Sequence, residues 1–258
     1  MRRAVVAMLL LTLLGCASSQ QPRPSDQGME KVSEEGPLYA HNLLRQGSLL
    51  LQQQRFDDAL AKFKEAERLQ PGNATIHNMI GVCHLQQKDY PTAIAAFERA
   101  LELVPSFTDA RNNRGAAYLH TRQYQLAQVD FGAVLADSTY PHRWEAYYNQ
   151  GMAFLGQNQV SAAEEHFRHA ALAVNPIPDA FLRLAEIADS NGRPEAAVDL
   201  LEEARLKFPD RKDFTLALGR LFTRLGRTQE ARPMLEEVIS SSPGSPEADE
   251  AKVLLGRS

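Results

Sequence analysis

ATIHNMIGVCHLQQKDYPTAIAAFERALELVPSF, the stretch Ala74–Phe107, decides how this chain folds. Its apolar residues recur with the 3.6-residue period of an α-helix in two separate runs, one around Ile80 and one around Phe97. The segment Asp89–Pro91 breaks the first run and suits the start of a second helix, which Pro105 then ends. The stretch therefore predicts a helix–turn–helix hairpin. Such a hairpin needs neighbours of the same kind to bury both of its apolar faces.

The same pattern returns at a fixed spacing along the chain. A small residue of the first helix recurs every 34 residues, with one step of 36, at Gly47, Gly81, Gly115, Gly151, Ala185 and Gly219. Alanine holds the matching place in the second helix, at Ala59, Ala93, Ala127, Ala163, Ala197 and Ala231. A large apolar residue follows four positions later, at Phe63, Phe97, Phe131, Phe167, Leu201 and Leu235. One register held over six units predicts stacked hairpins rather than a bundle of unrelated helices.

A period of 34 residues with these residue types resembles the tetratricopeptide repeat family. The resemblance implies an all-α fold, a right-handed α-solenoid of six tetratricopeptide repeats with a C-terminal capping helix. The repeats are expected at residues 40–73, 74–107, 108–143, 144–177, 178–211 and 212–245, and the cap at 246–258. Residues 37–258 are thus expected to form one superhelical domain.

The N-terminus carries a targeting pattern. Arg2 and Arg3 precede an apolar run of 11 residues, Ala4–Leu14, which fits a secretory signal and is too short to span a bilayer as a helix. The segment Leu13–Cys16 resembles a bacterial lipobox, which implies a signal peptide at residues 1–15 and covalent lipid, palmitate included, on Cys16. Ala17 rather than aspartate follows, which favours the periplasmic face of the outer membrane of a diderm bacterium. The alternative is an ordinary signal peptide with an incidental cysteine.

Residues 16–36 hold the lipidated cysteine and a stretch rich in Ser, Gln, Pro and Gly, which is expected to be a flexible tether. The formal net charge is −4, or −6 without Arg2 and Arg3, and no basic stripe of the kind that binds nucleic acid is present. Only two cysteines occur. Once Cys16 is acylated, Cys83 has no partner and is expected to be a buried, inert thiol.

Motifs of enzymes and metal sites are missing from the sequence. The glycine-rich nucleotide-binding motifs, the zinc-protease motif and the serine-hydrolase motif do not occur. His166 and His169 lie three residues apart, but no acidic residue or cysteine has the spacing of a further ligand. We therefore expect neither catalysis, nor a metal, nor a small-molecule substrate, and no cofactor besides the lipid on Cys16.

In this repeat family the first helices line the concave face. The matching positions in the second, third and fourth repeats predict a partner-binding groove lined by Asn78, Met79, Val82, Leu85, Asn112, Asn113, Ala116, Leu119, Tyr148, Asn149, Met152 and Leu155. An asparagine can both donate to and accept from a peptide backbone, and methionine adapts to varied side chains. The alternative is that the asparagines only solvate a surface; the row as a whole favours binding.

The lipobox, the short tether and the six repeats together resemble the type IV pilus pilotins, the PilF/PilW/Tgl group, and most closely its Tgl type. The resemblance implies a lipid-anchored protein with a protein partner, the outer-membrane secretin subunit, whose assembly supports pilus formation and motility. Repeat lipoproteins also act as adaptors for cell-wall hydrolases and in outer-membrane β-barrel assembly, and these roles are the alternatives.

Overall fold

The computed structural model describes residues 24–256. Within them the chain forms thirteen α-helices: α1 (Pro24–Gln52), α2 (Phe56–Leu69), α3 (Ala74–Gln86), α4 (Tyr90–Leu103), α5 (Thr108–His120), α6 (Tyr124–Ala136), α7 (Arg143–Gly156), α8 (Val160–Ala171), α9 (Pro178–Ser190), α10 (Pro194–Lys207), α11 (Lys212–Arg224), α12 (Thr228–Ser241) and α13 (Pro246–Leu255). Consecutive helices pack as hairpins, α1 with α2 through α11 with α12, and α13 covers the last pair. The all-α solenoid of stacked hairpins is confirmed.

The first helix begins earlier than expected. Residues 16–36 were expected to form a tether, whereas the structure places Pro24 onward in α1 and so corrects that expectation for residues 24–36. Proline suits the first helical position, and the segment Met29–Glu35 is rich in good helix formers, so it can extend a helix that the first hairpin has already nucleated. The low apolar content of this segment argues against a place in the core, but it does not prevent the segment from forming a helix. The signal-like segment and Cys16 lie outside the described residues.

Each hairpin is held by a ring packed on a residue without a side chain. Phe63, Phe97, Phe131 and Phe167 are fully buried. Each ring lies where a Cβ would stand on the glycine of the preceding helix, as Phe131 does at Gly115, with ring atoms 2.9 Å from that position. The recurring alanines of the second helices are also fully buried. The small and large residues of the repeat are therefore partners within one pair of helices.

A charged contact distinguishes the third hairpin. Arg114 stands on α5 where apolar residues are usual, and its guanidinium donates to both carboxylate oxygens of Asp130 on α6, at 2.8 and 2.7 Å. The Asp130 side chain is buried, and Arg114 also lies over the ring of Tyr118. The arginine is thus tolerated because its partner lies within the same hairpin. The nearby Asp130 holds the pKa of Arg114 above its usual value.

None of the helices between Pro24 and Leu255 combines the length and the apolar character that a bilayer span requires.

Candidate partner-binding groove

A groove of about 510 Å³ lies where the third and fourth hairpins meet. Six of the predicted groove residues line it: Ala116, Leu119, Tyr148, Asn149, Met152 and Leu155. Residues four and seven positions apart share one face of a helix, so α7 presents Tyr148, Met152 and Leu155 together. These side chains face Ala116 and Leu119 of α5 across the groove. The structure therefore brings half of the predicted set into one apolar site with a single amide, Asn149.

Three further lining residues were missed by the sequence analysis: His120, Tyr124 and Gly156. The Tyr124 ring packs onto Gly156, where a Cβ would collide with it. His120 stacks on Tyr90, with 4.7 Å between ring centroids. The sequence did contain a signal that could have identified Tyr124 as a lining residue. An aromatic residue opens the second helix of each of the first three repeats, at Phe56, Tyr90 and Tyr124. An aromatic residue at that place can reach the face of a neighbouring first helix.

The predicted asparagines of the second and third repeats lie elsewhere. Asn78 is buried, and its Oδ1 accepts a hydrogen bond from Asn113 Nδ2 at 3.1 Å, so this pair joins α3 to α5. Asn112 is also buried, and its Oδ1 has no hydrogen-bond partner among the described residues. The prediction that Asn78 and Asn112 are open to a partner in the groove is therefore corrected. Asn149 is the predicted asparagine that lines the cavity.

The apolar residues predicted from the second repeat form separate surfaces. Val82 lines a smaller cavity of about 370 Å³ with Leu51 and Phe56. Met79 packs against the core of the first hairpin, and Leu85 packs beside Phe97. The groove along the first helices is thus divided, and its most continuous apolar part lies between α5 and α7.

A second cavity, of about 420 Å³, lies between α9 and α11. Its floor is apolar, with Leu182, Leu216 and Leu221, but its rim is charged. Both arginines of the rim are paired within the chain: Arg224 with Asp189, and Arg220 with Glu250. Because these arginines are already paired, an acidic partner would have to break an ion pair to bind there. A partner that binds in the cavity between α5 and α7 would not have to break an ion pair.

Two titratable groups with shifted pKa values, Cys83 and Tyr140, lie outside the groove between α5 and α7. Cys83 is buried, as predicted, and burial raises its pKa to about 11, so the thiol stays neutral and unreactive near neutral pH. Among the described residues no group of three His, Cys, Asp or Glu side chains is placed to hold a metal ion. Tyr140 has a pKa raised by burial and by Asp109, to which its hydroxyl donates at 3.1 Å.

Comparison with known proteins agrees with this architecture. The sequence profile of the family described as tetratricopeptide repeat matches residues 44–106, 89–138, 112–176, 148–210 and 182–246. Among curated proteins, the human protein O-mannosyl-transferase TMTC1 is 28% identical over 99 residues, which is 38% of this chain. This chain spans only 11% of the length of that protein.

Two solved structures of pilus proteins share the fold. PilF of Pseudomonas aeruginosa superposes with a TM-score of 0.72 at 18% identity, covering 84% of this chain and 98% of PilF. PilW, described as a widely conserved type IV pilus biogenesis factor, superposes with a TM-score of 0.75 at 21% identity, covering 83% of this chain and 98% of PilW. At these identities the similarity establishes a common fold.

Proposed function

Since this chain belongs to the tetratricopeptide repeat family, we propose that it is a protein-binding scaffold of the outer membrane, a pilotin that helps the secretin of type IV pili to assemble. The groove between α5 and α7 carries the proposal. It is apolar, concave and free of internal ion pairs, and Asn149 can hydrogen-bond a peptide backbone. A protein segment of the secretin subunit is the proposed occupant.

Two further observations support the pilus role. The hairpin stack superposes on 98% of PilF and 98% of PilW. This chain therefore contains nearly all of the fold of each. The lipobox-like segment ending in Cys16 supplies the anchor that would bring a bound secretin subunit to the outer membrane. Binding and delivery are then separate tasks, carried out by the groove and by the lipid.

Two variants separate these tasks. Leu119→Ala, Asn149→Ala and Met152→Ala together remove two apolar contacts at about 1–2 kcal/mol each and one hydrogen bond at about 0.5–1.5 kcal/mol. The sum of roughly 2.5–5.5 kcal/mol weakens binding of purified secretin subunit by roughly fifty to ten thousand times. This triple variant stays in the outer membrane. Cys16→Ala keeps the groove and the affinity but loses acylation and outer-membrane localisation.

The readouts are the dissociation constant by calorimetry and heat-stable secretin multimers in cells by immunoblot. Both variants should abolish multimers, for different reasons. The matched control replaces two exposed glutamates on second helices, Glu165→Ala and Glu202→Ala, and should bind and assemble normally. Normal multimers in the triple variant at normal protein level would exclude this groove as the secretin site.

A further inference from the structure

Three cavities along the first helices recur in register with the repeat. The first lies between α1 and α3, the middle one between α5 and α7, and the last between α9 and α11, with volumes of about 370, 510 and 420 Å³. Each is lined by one residue of the earlier helix and two of the later helix at matching repeat positions. These sets are Leu51, Val82 and Gln86; Leu119, Met152 and Gly156; and Asp189, Arg220 and Arg224. The three cavities are therefore equivalent places in the repeat, two hairpins apart.

The first and middle cavities are lined without any Asp, Glu, Lys or Arg side chain. Their walls are mainly apolar and aromatic, with Leu51, Phe56 and Val82 in the first and Leu119, Met152 and others in the middle one. A charged side chain that entered either cavity would lose its hydration without gaining a partner of opposite charge. These two cavities therefore favour large apolar side chains.

The last cavity differs in charge. Its wall carries four carboxylates and two guanidinium groups, those of Glu186, Asp189, Asp213, Glu247, Arg220 and Arg224. Five of these six groups are in ion pairs within the chain. Glu247, in the first turn of α13, has no ion-pair partner among the described residues. A lysine or arginine of a partner can pair with this carboxylate without breaking an existing ion pair.

The three cavities are connected along the first helices. Arg183 of α9 interacts with Tyr148 in the wall of the middle cavity and donates to Glu186 of the last cavity at 2.8 Å. Between the first and middle cavities, Asn113 of α5 donates to Asn78 of α3 at 3.1 Å. Neighbouring helices pack about 8–10 Å apart, so a step of two hairpins spans about 16–20 Å. In an extended chain, residues six apart span about 20 Å and point to the same side.

We propose that one extended partner segment occupies all three cavities, with two large apolar side chains about six residues apart and a lysine or arginine about six residues beyond the second. The apolar side chains enter the first and middle cavities, and the basic side chain pairs with Glu247. Asn149 hydrogen-bonds the backbone of the segment at the middle cavity. The proposal rests on the proposed function, in which the groove between α5 and α7 holds a segment of the secretin subunit, and it adds the chemical pattern of that segment.

Synthetic peptides test the pattern with full-length acylated protein in detergent. The probe is a dye-labelled serine–glycine peptide with leucine at its second and eighth positions and arginine at its fourteenth; a second peptide has the reverse order. Fluorescence anisotropy gives the dissociation constants. The tighter of the two peptides should lose about tenfold or more in affinity when its leucines are placed three residues apart, and about as much when one leucine is replaced by glutamate.

Variants of the protein test each cavity separately. Val82→Asp and Met152→Asp place a charge in the first and the middle cavity, and each should weaken binding of the same peptide about tenfold or more. Glu247→Lys should weaken it roughly two- to tenfold and should favour instead a peptide with glutamate in place of arginine. Val129→Asp is the matched control, because Val129 is 69% exposed in the middle of α6 and lines none of the three cavities. Thermal melts show that each variant is folded.

Purified secretin subunit, used as a second probe, separates this inference from the proposed function. If Met152→Asp loses secretin binding and a folded Val82→Asp does not, the groove remains the secretin site but the extended pattern is overturned. Peptides that bind equally well with either leucine spacing, or that do not bind in either order, overturn the pattern as well. Peptide binding that follows the pattern while the secretin subunit does not bind at all would overturn the proposed function alone.

Discussion

At the residue scale, the glycines of the first helices leave room for a buried side chain of the second helix. Replacing one of them should therefore change the stability of the protein. Gly115→Ala places a Cβ 2.9 Å from the Phe131 ring, which is fully buried and cannot move freely. Overpacking of this kind costs about 1–3 kcal/mol of the free energy of unfolding, so the melting temperature of the variant should fall. Thermal unfolding followed by circular dichroism measures the change.

Gly132 provides the opposite case in the adjoining helix. It lies in the middle of α6, it is exposed, and its nearest neighbour to an added Cβ is Gln150 at 3.7 Å. The same substitution, Gly132→Ala, should therefore stabilise the protein by about 0.5–1 kcal/mol, because alanine loses less backbone freedom on folding. Equal shifts of both variants in one direction would show that helix propensity, and not the Phe131 ring, decides the effect.

At the scale of elements, the turn inside each hairpin has one residue in the left-handed region of backbone space. These residues recur in register: Gln54, Lys88, Arg122, Asn158, Gly192 and Gly226, with φ between 59° and 72°. Glycine adopts this conformation without a steric cost and asparagine tolerates it, whereas for most other residues the cost is about 1–2 kcal/mol. The last two turns therefore have the most suitable residue, the fourth has a tolerated one in Asn158, and the first three carry the cost.

A substitution at one such turn should stabilise its hairpin. Arg122→Gly relieves the cost at φ 60°, and the gain should be about 0.5–1 kcal/mol once the greater freedom of glycine in the unfolded chain is subtracted. Gly192→Ala should destabilise the fifth hairpin by a similar amount, although an added Cβ there meets no other atom. Urea midpoints compare the two variants. A gain from both would contradict the backbone explanation.

The elements were more predictable from the sequence than the site. Proline and the recurring small residues mark where helices begin and which faces pack, so the hairpins could be placed from local signals. The orientation of adjacent asparagines could not, because Asn112 and Asn113 differ by one position, yet Asn112 is buried and Asn113 donates a hydrogen bond to Asn78 of α3. The extension of α1 to Pro24 was missed for a different reason. The residues that form it show no periodic apolar pattern from which a helix could be predicted.

At the scale of the whole molecule, the buried core is unevenly connected. One continuous cluster of buried side chains runs from Ala163 to Ala251, through the fourth to sixth hairpins. Four smaller clusters cover the first three hairpins, and one of them also includes Ala146 and Ala153 of α7. The groove lies at the seam where this cluster meets the large one. Leu119 packs with the third hairpin, whereas Tyr148 and Met152 pack against the large cluster.

Ion pairs between successive hairpins add to the difference. Arg193 pairs with Glu164 at 3.0 Å and Arg227 with Glu195 at 2.9 Å, each joining neighbouring repeats, and Arg211, just before α11, pairs with Asp179 of α9 at 2.6 Å. Single exposed pairs contribute little, but they lie over the same hairpins that share the large core. In a repeat protein, stability follows the interfaces between neighbours, so the two halves should open separately.

Hydrogen exchange measured by mass spectrometry tests this. Amides of α9 and α11 should exchange at least about tenfold more slowly than those of α3 and α5, which corresponds to about 1.4 kcal/mol in the free energy of opening. Two matched variants locate the boundary. Gly81→Ala, which meets Phe97, should speed exchange within the first three hairpins, whereas Gly219→Ala, which meets Leu235, should speed exchange throughout the last three. If either variant speeds exchange evenly along the chain, the solenoid opens as one unit and the groove between α5 and α7 is not a seam. If each effect stops at the groove, its two walls belong to bodies that can move relative to each other, and a bound segment would be gripped by closing them.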